Sequence, residues 1–172
     1  MMNLISIREE QPDDAAAIRA LHTAAFEGEV EAAIVDRLRE GCPDLLSLVA
    51  VDGERVVGHV LFSPATVDAG PVGMGLAPLA VLPEFQRRGI GSALVERGLA
   101  TLRDRGCPFV IVLGHPEYYP RFGFERASVY GLASQWEGVP NEAFMALVFD
   151  AGAMARTGSV ARYRAEFDEA ME

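Results

Sequence analysis

The chain has 172 residues, half of them apolar, with 15 cationic and 25 acidic side chains and a net charge of −10. That size suits one domain able to bury a core without a disulfide or a metal, and no metal site is expected. Every cation is an arginine, which excludes a Schiff-base lysine, a pyridoxal-phosphate anchor and a P-loop lysine, and the acidic balance argues against a nucleic-acid partner.

Alternation over residues 4–8 predicts a first strand. Pro12, Asp13 and Asp14 open a helix, proline fitting its first turn and the carboxylates its dipole. Ile18, Leu21, Ala25 and Phe26 then share one face. A second helix is expected from Glu29, with Ile34, Val35 and Leu38 inward and Gly41 as its stop. Residues 46–51 and 56–62 read as strands around Asp52-Gly53-Glu54, a hairpin signal. Residues 65–75 contain glycine and proline and read as a loop. Residues 76–82 are apolar on both faces and read as a buried central strand ended by Pro83. A helix from Gly89 to Arg105 buries Ile90, Leu94, Val95, Leu99 and Leu102. Residues 109–113 form another buried strand, residues 114–120 a turn with at most a short helix, and residues 122–126 and 144–149 further strands.

The tail from Ala151 mixes three arginines with acidic residues and is expected to pack loosely on the same domain. Residues 1–150 would then be the domain and 151–172 its tail. The order predicts an α/β (α+β) fold: a single mixed, mostly antiparallel sheet with a central parallel strand–helix–strand crossover. Cys42 and Cys107 have no CxxC spacing, the first residues lack a basic stretch before a long apolar run, and no window approaches the ~18 apolar residues of a membrane span. A reduced, cytoplasmic protein with no membrane partner is expected.

The sharpest chemical feature is Gln86-Arg87-Arg88-Gly89-Ile90-Gly91-Ser92, between a buried strand and an amphipathic helix. A helix start offers unpaired N–H groups and a partial positive charge. Two glycines let an anion approach the backbone, and two arginines add forked donors. The physics is that of a diphosphate cradle; the plain alternative is a tight turn with two solvated arginines. The Walker pattern fails for want of a lysine. The dinucleotide fingerprint fails because Leu94 stands at its third glycine and no acid follows the next strand.

With Leu79-Ala80-Val81-Leu82-Pro83-Glu84-Phe85 before it, the stretch resembles motif A of the GNAT superfamily of acetyl-CoA-dependent N-acetyltransferases. Tyr119-Pro120-Arg121-Phe122-Gly123-Phe124 resembles that superfamily's second signature, a tyrosine four residues before Gly-Phe. The likeness spans residues 4–149. Leu113-Gly114-His115-Pro116 is similar to a small bacterial branch.

The resemblance implies a GNAT-like fold and acetyl-CoA as cosubstrate. The amides of Arg88, Gly89, Gly91 and Ser92 would hold the diphosphate, with Gln86 and Arg87 lining the approach. The backbone of Leu79 and Val81 would pair with the pantetheine arm like an added strand, and a nearby strand amide would polarise the thioester carbonyl. His115 stands near that arm, and Tyr119 would protonate the leaving thiolate, with Tyr118 the alternative donor. Relatives often carry a glutamate on the strand before motif A, and residues 74–80 offer none. Glu27, Glu29 and Glu31, at the turn between the first two helices, remain as candidates for receiving the amine's proton. Trp136 is a candidate wall of the acceptor pocket, and His22 and His59 read as ordinary half-buried residues. The expected acceptor is a small-molecule or peptide amine, in a chain that can form a homodimer. The competing reading is a non-catalytic acyl-CoA-binding module.

Overall fold

Period-two alternation builds the sheet. β1 (Ile5–Glu9), β2 (Leu46–Asp52), β3 (Arg55–Val67) and β4 (Val72–Val81) pair antiparallel in sequence order in the computed structural model, which describes residues 4–154 and 160–171. Two helices, α1 (Ala15–Phe26) and α2 (Val30–Gly41), separate β1 from β2, and α3 (Ile90–Asp104) carries the chain from β4 to β5 (Phe109–Leu113), which pairs with β4 in parallel. Beyond β5 come two short strands, β6 (Glu125–Arg126) and β7 (Ala133–Ser134), then β8 (Phe144–Val148), a short helix α4 (Ala151–Met154) and β9 (Val160–Arg162). The order across the main path is β1-β2-β3-β4-β5-β8-β6, with β9 pairing the far end of β3 and also β7. This is the mixed, mostly antiparallel sheet expected.

Alternate residues feed two cores on opposite faces. Val49, Leu61 and Ile111 point to the side covered by Ile18 and Leu21 of α1 and Ile34, Val35 and Leu38 of α2. Leu48, Val60, Phe62 and Val112 point to the side covered by Leu94, Val95 and Leu102 of α3. Phe26 departs from its expected face and is 40% exposed.

Three expectations are corrected. Residues 65–75 are a loop only at 68–71: β3 runs to Val67 and β4 starts at Val72, pairing Ala65 with Gly73 and Thr66 with Val72. Gly70 does lie in the turn, but Gly73 and Gly75 misled because they mark packing. A Cβ on Gly73 would lie 2.4 Å from the Phe109 carbonyl, and one on Gly75 would lie 2.5 Å from the Tyr163 ring. Residues 122–126 contribute only β6, because Tyr119–Phe122 coils into a 3-10 turn. The tail's described residues from Val160 on are held firmly: β9 is hydrogen-bonded into the sheet, and Ala161, Tyr163 and Phe167 are buried. Among the described residues, no helix is long and apolar enough to cross a membrane.

The feature that makes room for a ligand is the end of the β4–β5 ladder. Their pairing stops at Leu76 opposite Val112, although β4 continues to Val81. On the other side, Leu76 and Leu79, three apart, oppose Phe62 and Val60, two apart, so β4 bulges by one residue. The Tyr163 hydroxyl sits where the strands part, donating to the Leu76 carbonyl at 3.0 Å and accepting from the Leu113 amide at 3.2 Å. A side chain thus closes the ladder, and the edge of β4 beyond it is left open.

Candidate functional site

The turn from β4 into α3 exposes its backbone. Arg87 and Gly89 both adopt positive φ, at 64° and 81°, which turns the chain sharply; glycine takes this conformation at no steric cost. The first helical bond runs from the Ala93 amide to the Gly89 carbonyl at 3.0 Å. None of the amides from Arg87 to Ser92 donates to a backbone carbonyl among the described residues. Six consecutive N–H groups at a helix start make an anion cradle. Gln86 ties this turn to β4, its amide nitrogen donating to the Val81 carbonyl at 3.0 Å. Leu82 donates its own amide to Val57 of β3, so strand alternation aims the backbone polar groups of Val81 and Leu79 at the open edge.

A groove of about 610 Å³ runs over these groups, bounded by Leu79, Val81, Gln86, Arg87, Gly89, Gly91, Ser92, His115 and Tyr119. Of the residues expected to hold acetyl-CoA or to protonate its thiolate, all meet there except Arg88, whose guanidinium lies over the Phe85 ring, 5.2 Å from its centroid. Tyr118, the alternative donor, is a further wall, and so are Phe85, Ile90 and Arg121, to which the sequence assigned no role at a ligand. The Tyr118 hydroxyl is 3.2 Å from Ser92 Oγ, and a Cβ on Gly91 would come within 3.1 Å of it. Arg121 lies over the Tyr118 ring at 4.4 Å and donates from Nε to the Tyr118 carbonyl at 2.9 Å. Its signal in the sequence was only its nearness to the second signature.

A second groove, of about 280 Å³, lies on the far side of Tyr119, between the parted ends of β4 and β5. Leu79, His115 and Tyr119 belong to both grooves, whereas Tyr118 borders only the first. Tyr119 is 7% exposed, packed edge-on against Tyr118 and Phe124. Burial, with a smaller contribution from Tyr118, pushes its phenol above the usual tyrosine range. Its hydroxyl has no protein hydrogen-bond partner among the described residues. Of the three glutamates proposed near the acceptor, Glu31 lines the second groove, while Glu27 and Glu29 are exposed at the α1–α2 turn. The second groove opens into an apolar chamber of about 160 Å³ containing Trp136.

His22 and His59 lie away from the grooves and are fully buried, not half-buried. They form the core of a polar chain the sequence reading missed. His22 Nε2 is 2.8 Å from His59 Nδ1, His59 Nε2 is 2.7 Å from Ser47 Oγ, and Ser47 donates to Glu10 at 2.7 Å. Because the Ser47 proton is committed to Glu10, His59 must donate from Nε2, and His22 must donate to His59.

Comparison with known proteins agrees with this architecture. Residues 15–124 match the model of the Acetyltransferase (GNAT) family. The chain is 42% identical over 134 residues to the uncharacterized N-acetyltransferase YhbS of Escherichia coli K12, covering 77% of this chain and 80% of that protein. The crystal structure of Escherichia coli YhbS in complex with CoA superposes with a TM-score of 0.90 at 37% identity, covering 98% of this chain and 94% of that one. A GNAT family acetyltransferase of Brucella melitensis in complex with acetyl-CoA gives a TM-score of 0.80 at 36% identity, covering 97% and 100%. With its family model matched across both signature regions and its sheet shared with these structures, the chain belongs to the GNAT family of acetyltransferases.

Proposed function

We propose that the chain transfers the acetyl group of acetyl-CoA to a primary amine by direct attack within a ternary complex. One observation carries the reading: of the two adjacent tyrosines only Tyr119 walls both the groove over the amide cradle and the groove between the parted strands. Acyl transfer to an amine needs just such a junction, with a proton donor where the two reactants meet.

The residues present fit acetyl-CoA, which supplies the acyl group as a thioester. The free amides of Arg88, Gly89, Gly91 and Ser92, with Arg87 and Arg121 beside them, suit a diphosphate. The open edge of Leu79 and Val81 suits the amides of the pantetheine arm, bound as an added strand. The likeness to relatives solved with CoA and with acetyl-CoA supports the same assignment.

The amine nitrogen bonds to the thioester carbon, the carbon–sulfur bond breaks, nitrogen gives up one proton and sulfur gains one. A strand amide at the β4 edge steadies the oxyanion. Tyr119 donates its hydroxyl hydrogen to sulfur. Its phenol, raised by burial, is less acidic than a thiol, so it parts with its proton only as one arrives to replace it; the proton leaving nitrogen serves. Glu31 is the carboxylate that borders the amine's side and draws the ammonium in; the ammonium first gives up one proton, to Glu31 or to water, and the free amine so formed is the attacking species.

The test is incubation with acetyl-CoA and a pool of primary amines, following free thiol and N-acetylated products by mass spectrometry. Equal amounts of thiol and acetylated amine are expected. Tight CoA binding with no acetylated product across a broad panel would instead favour a binding module.

A further inference from the structure

The chamber beyond the second groove is built differently from the rest of the site. It shares Glu31, Ala77, Pro78 and Leu113 with that groove, so the two form one path leading away from Tyr119. Its other walls are Ile34, Trp136, Tyr163 and Phe167. Among the described residues, the only charged side chain on it is Glu31, at the seam with the groove. At about 160 Å³ it is the size of apolar cavities that accept a single benzene-like ring.

The aromatic walls are fixed before any ligand arrives. Trp136 stacks on Tyr163 with centroids 5.7 Å apart, and Tyr163 packs on Phe167 at 5.1 Å. The Trp136 indole donates to Asp168 at 2.9 Å, and the Tyr163 amide donates to the Gln135 side chain at 2.6 Å. The Tyr163 hydroxyl is anchored between β4 and β5. Such pre-set walls lose little entropy on binding. Trp136 is half-buried, so part of its ring faces the chamber rather than the core. A short polar amine would leave this apolar surface wet, and among the described residues a polycation would find one carboxylate on the chamber's walls.

We propose that the chamber takes the aryl or branched-alkyl body of a primary amine, with Glu31 receiving the ammonium end and directing it toward Tyr119. This rests on the acetyl-transfer reading for the direction of the amine, but the chamber's choice of ligand can be measured without turnover. Trp136 is the only tryptophan in the chain, so its fluorescence reports occupancy directly.

The experiment titrates CoA-loaded protein with phenethylamine, isoamylamine, ethanolamine and the uncharged 2-phenylethanol, reading Trp136 emission, and then assays acetylation of the same amines. Phenethylamine and isoamylamine should give saturable changes with Kd at least ~10-fold below that of ethanolamine. Glu31→Gln should weaken both amines and leave 2-phenylethanol unchanged, while Phe167→Ala should weaken phenethylamine most. Ethanolamine binding as tightly as phenethylamine, or no saturable change with either apolar amine, overturns the proposal. So does efficient acetylation of ethanolamine with no preference for apolar amines, which would leave the transfer reading standing. Tight apolar-amine binding with no acetylation of any amine supports the chamber's ligand class and sinks the transfer reading.

Discussion

Two adjacent tyrosines compete for one chemical role, and their surroundings separate them. Tyr118 is half-buried, and its hydroxyl meets Ser92 at the start of α3, beside the anion cradle. Tyr119 is the one of the pair that borders both grooves, with no protein partner for its hydroxyl among the described residues. Tyr119→Phe removes one oxygen from a well-packed ring, so the fold and the cradle should persist. Turnover should fall ~10²- to 10⁴-fold, the span of a single general acid, with CoA affinity nearly unchanged. Tyr118→Phe loses the bond to Ser92 and should raise KM for acetyl-CoA a few-fold while sparing kcat. Steady-state kinetics of the two variants decide it: a larger kcat loss in Tyr118→Phe would move the donor by one residue. Because burial raises the Tyr119 phenol, it stays protonated through the alkaline range, and no basic limb of kcat should come from it.

Among the elements, the parting of β4 from β5 depends on a side chain that arrives late in the sequence. Tyr163 supplies the hydrogen bonds that the ladder stops supplying after Leu76 and Val112. Tyr163→Phe would strand the Leu113 amide and relieve the Leu76 carbonyl of a donor, costing ~1–3 kcal/mol. A melting point lower by ~2–4 °C per kcal/mol is expected for a chain of this size, measurable by calorimetry. An unchanged melting point would mean that water replaces the hydroxyl without loss. The elements that position the cradle were legible in sequence because their signals are local. The α3 stripe has a clean helical period, Gly89 and Gly91 mark a special turn, and the tyrosine signature has fixed spacing. What stayed hidden is non-local. Gly73 and Gly75 looked like loop residues because the side chains that fill their space, Phe109 and Tyr163, lie far along the chain. The chamber was equally hidden: Glu31, Trp136 and Phe167 meet only once the tail is woven into the sheet. Trp136 suggested an acceptor wall by its residue type, and Glu31 by its place at the turn between the first two helices, but no spacing joined them.

At the scale of the whole molecule, stability against acid should be governed by the buried histidine pair. Burial, with Arg39 near His22, lowers the His22 pKa to about 4. Burial also holds His59 well below its ordinary value, with His22 and Arg39 adding to the effect and Asp14 opposing it. Above pH ~7 neither state of the protein protonates these rings, so they add no pH dependence. As pH falls through ~6.5, the unfolded chain takes up two protons that the folded chain refuses, and the folded state loses up to ~1.4 kcal/mol per pH unit for each ring. Asp14, paired with Arg8 at 2.7 Å, behaves in the same direction but lower: its carboxylate is held below its ordinary value, so its contribution is complete above pH ~4 and is lost only beneath it. Urea unfolding followed from pH 7.5 to pH 4.5 should therefore show a steep fall in stability while Asp14 is still ionised. His22→Gln keeps a side-chain amide able to donate to His59 Nδ1 and removes one of the two rings. The acid slope between pH 6.5 and 5 should shrink by about half in that variant, whatever its stability at pH 7.5. A wild-type profile that stays flat to pH 5 would mean that the rings accept protons in the folded state, and that the chain from His22 to Glu10 rearranges rather than resists.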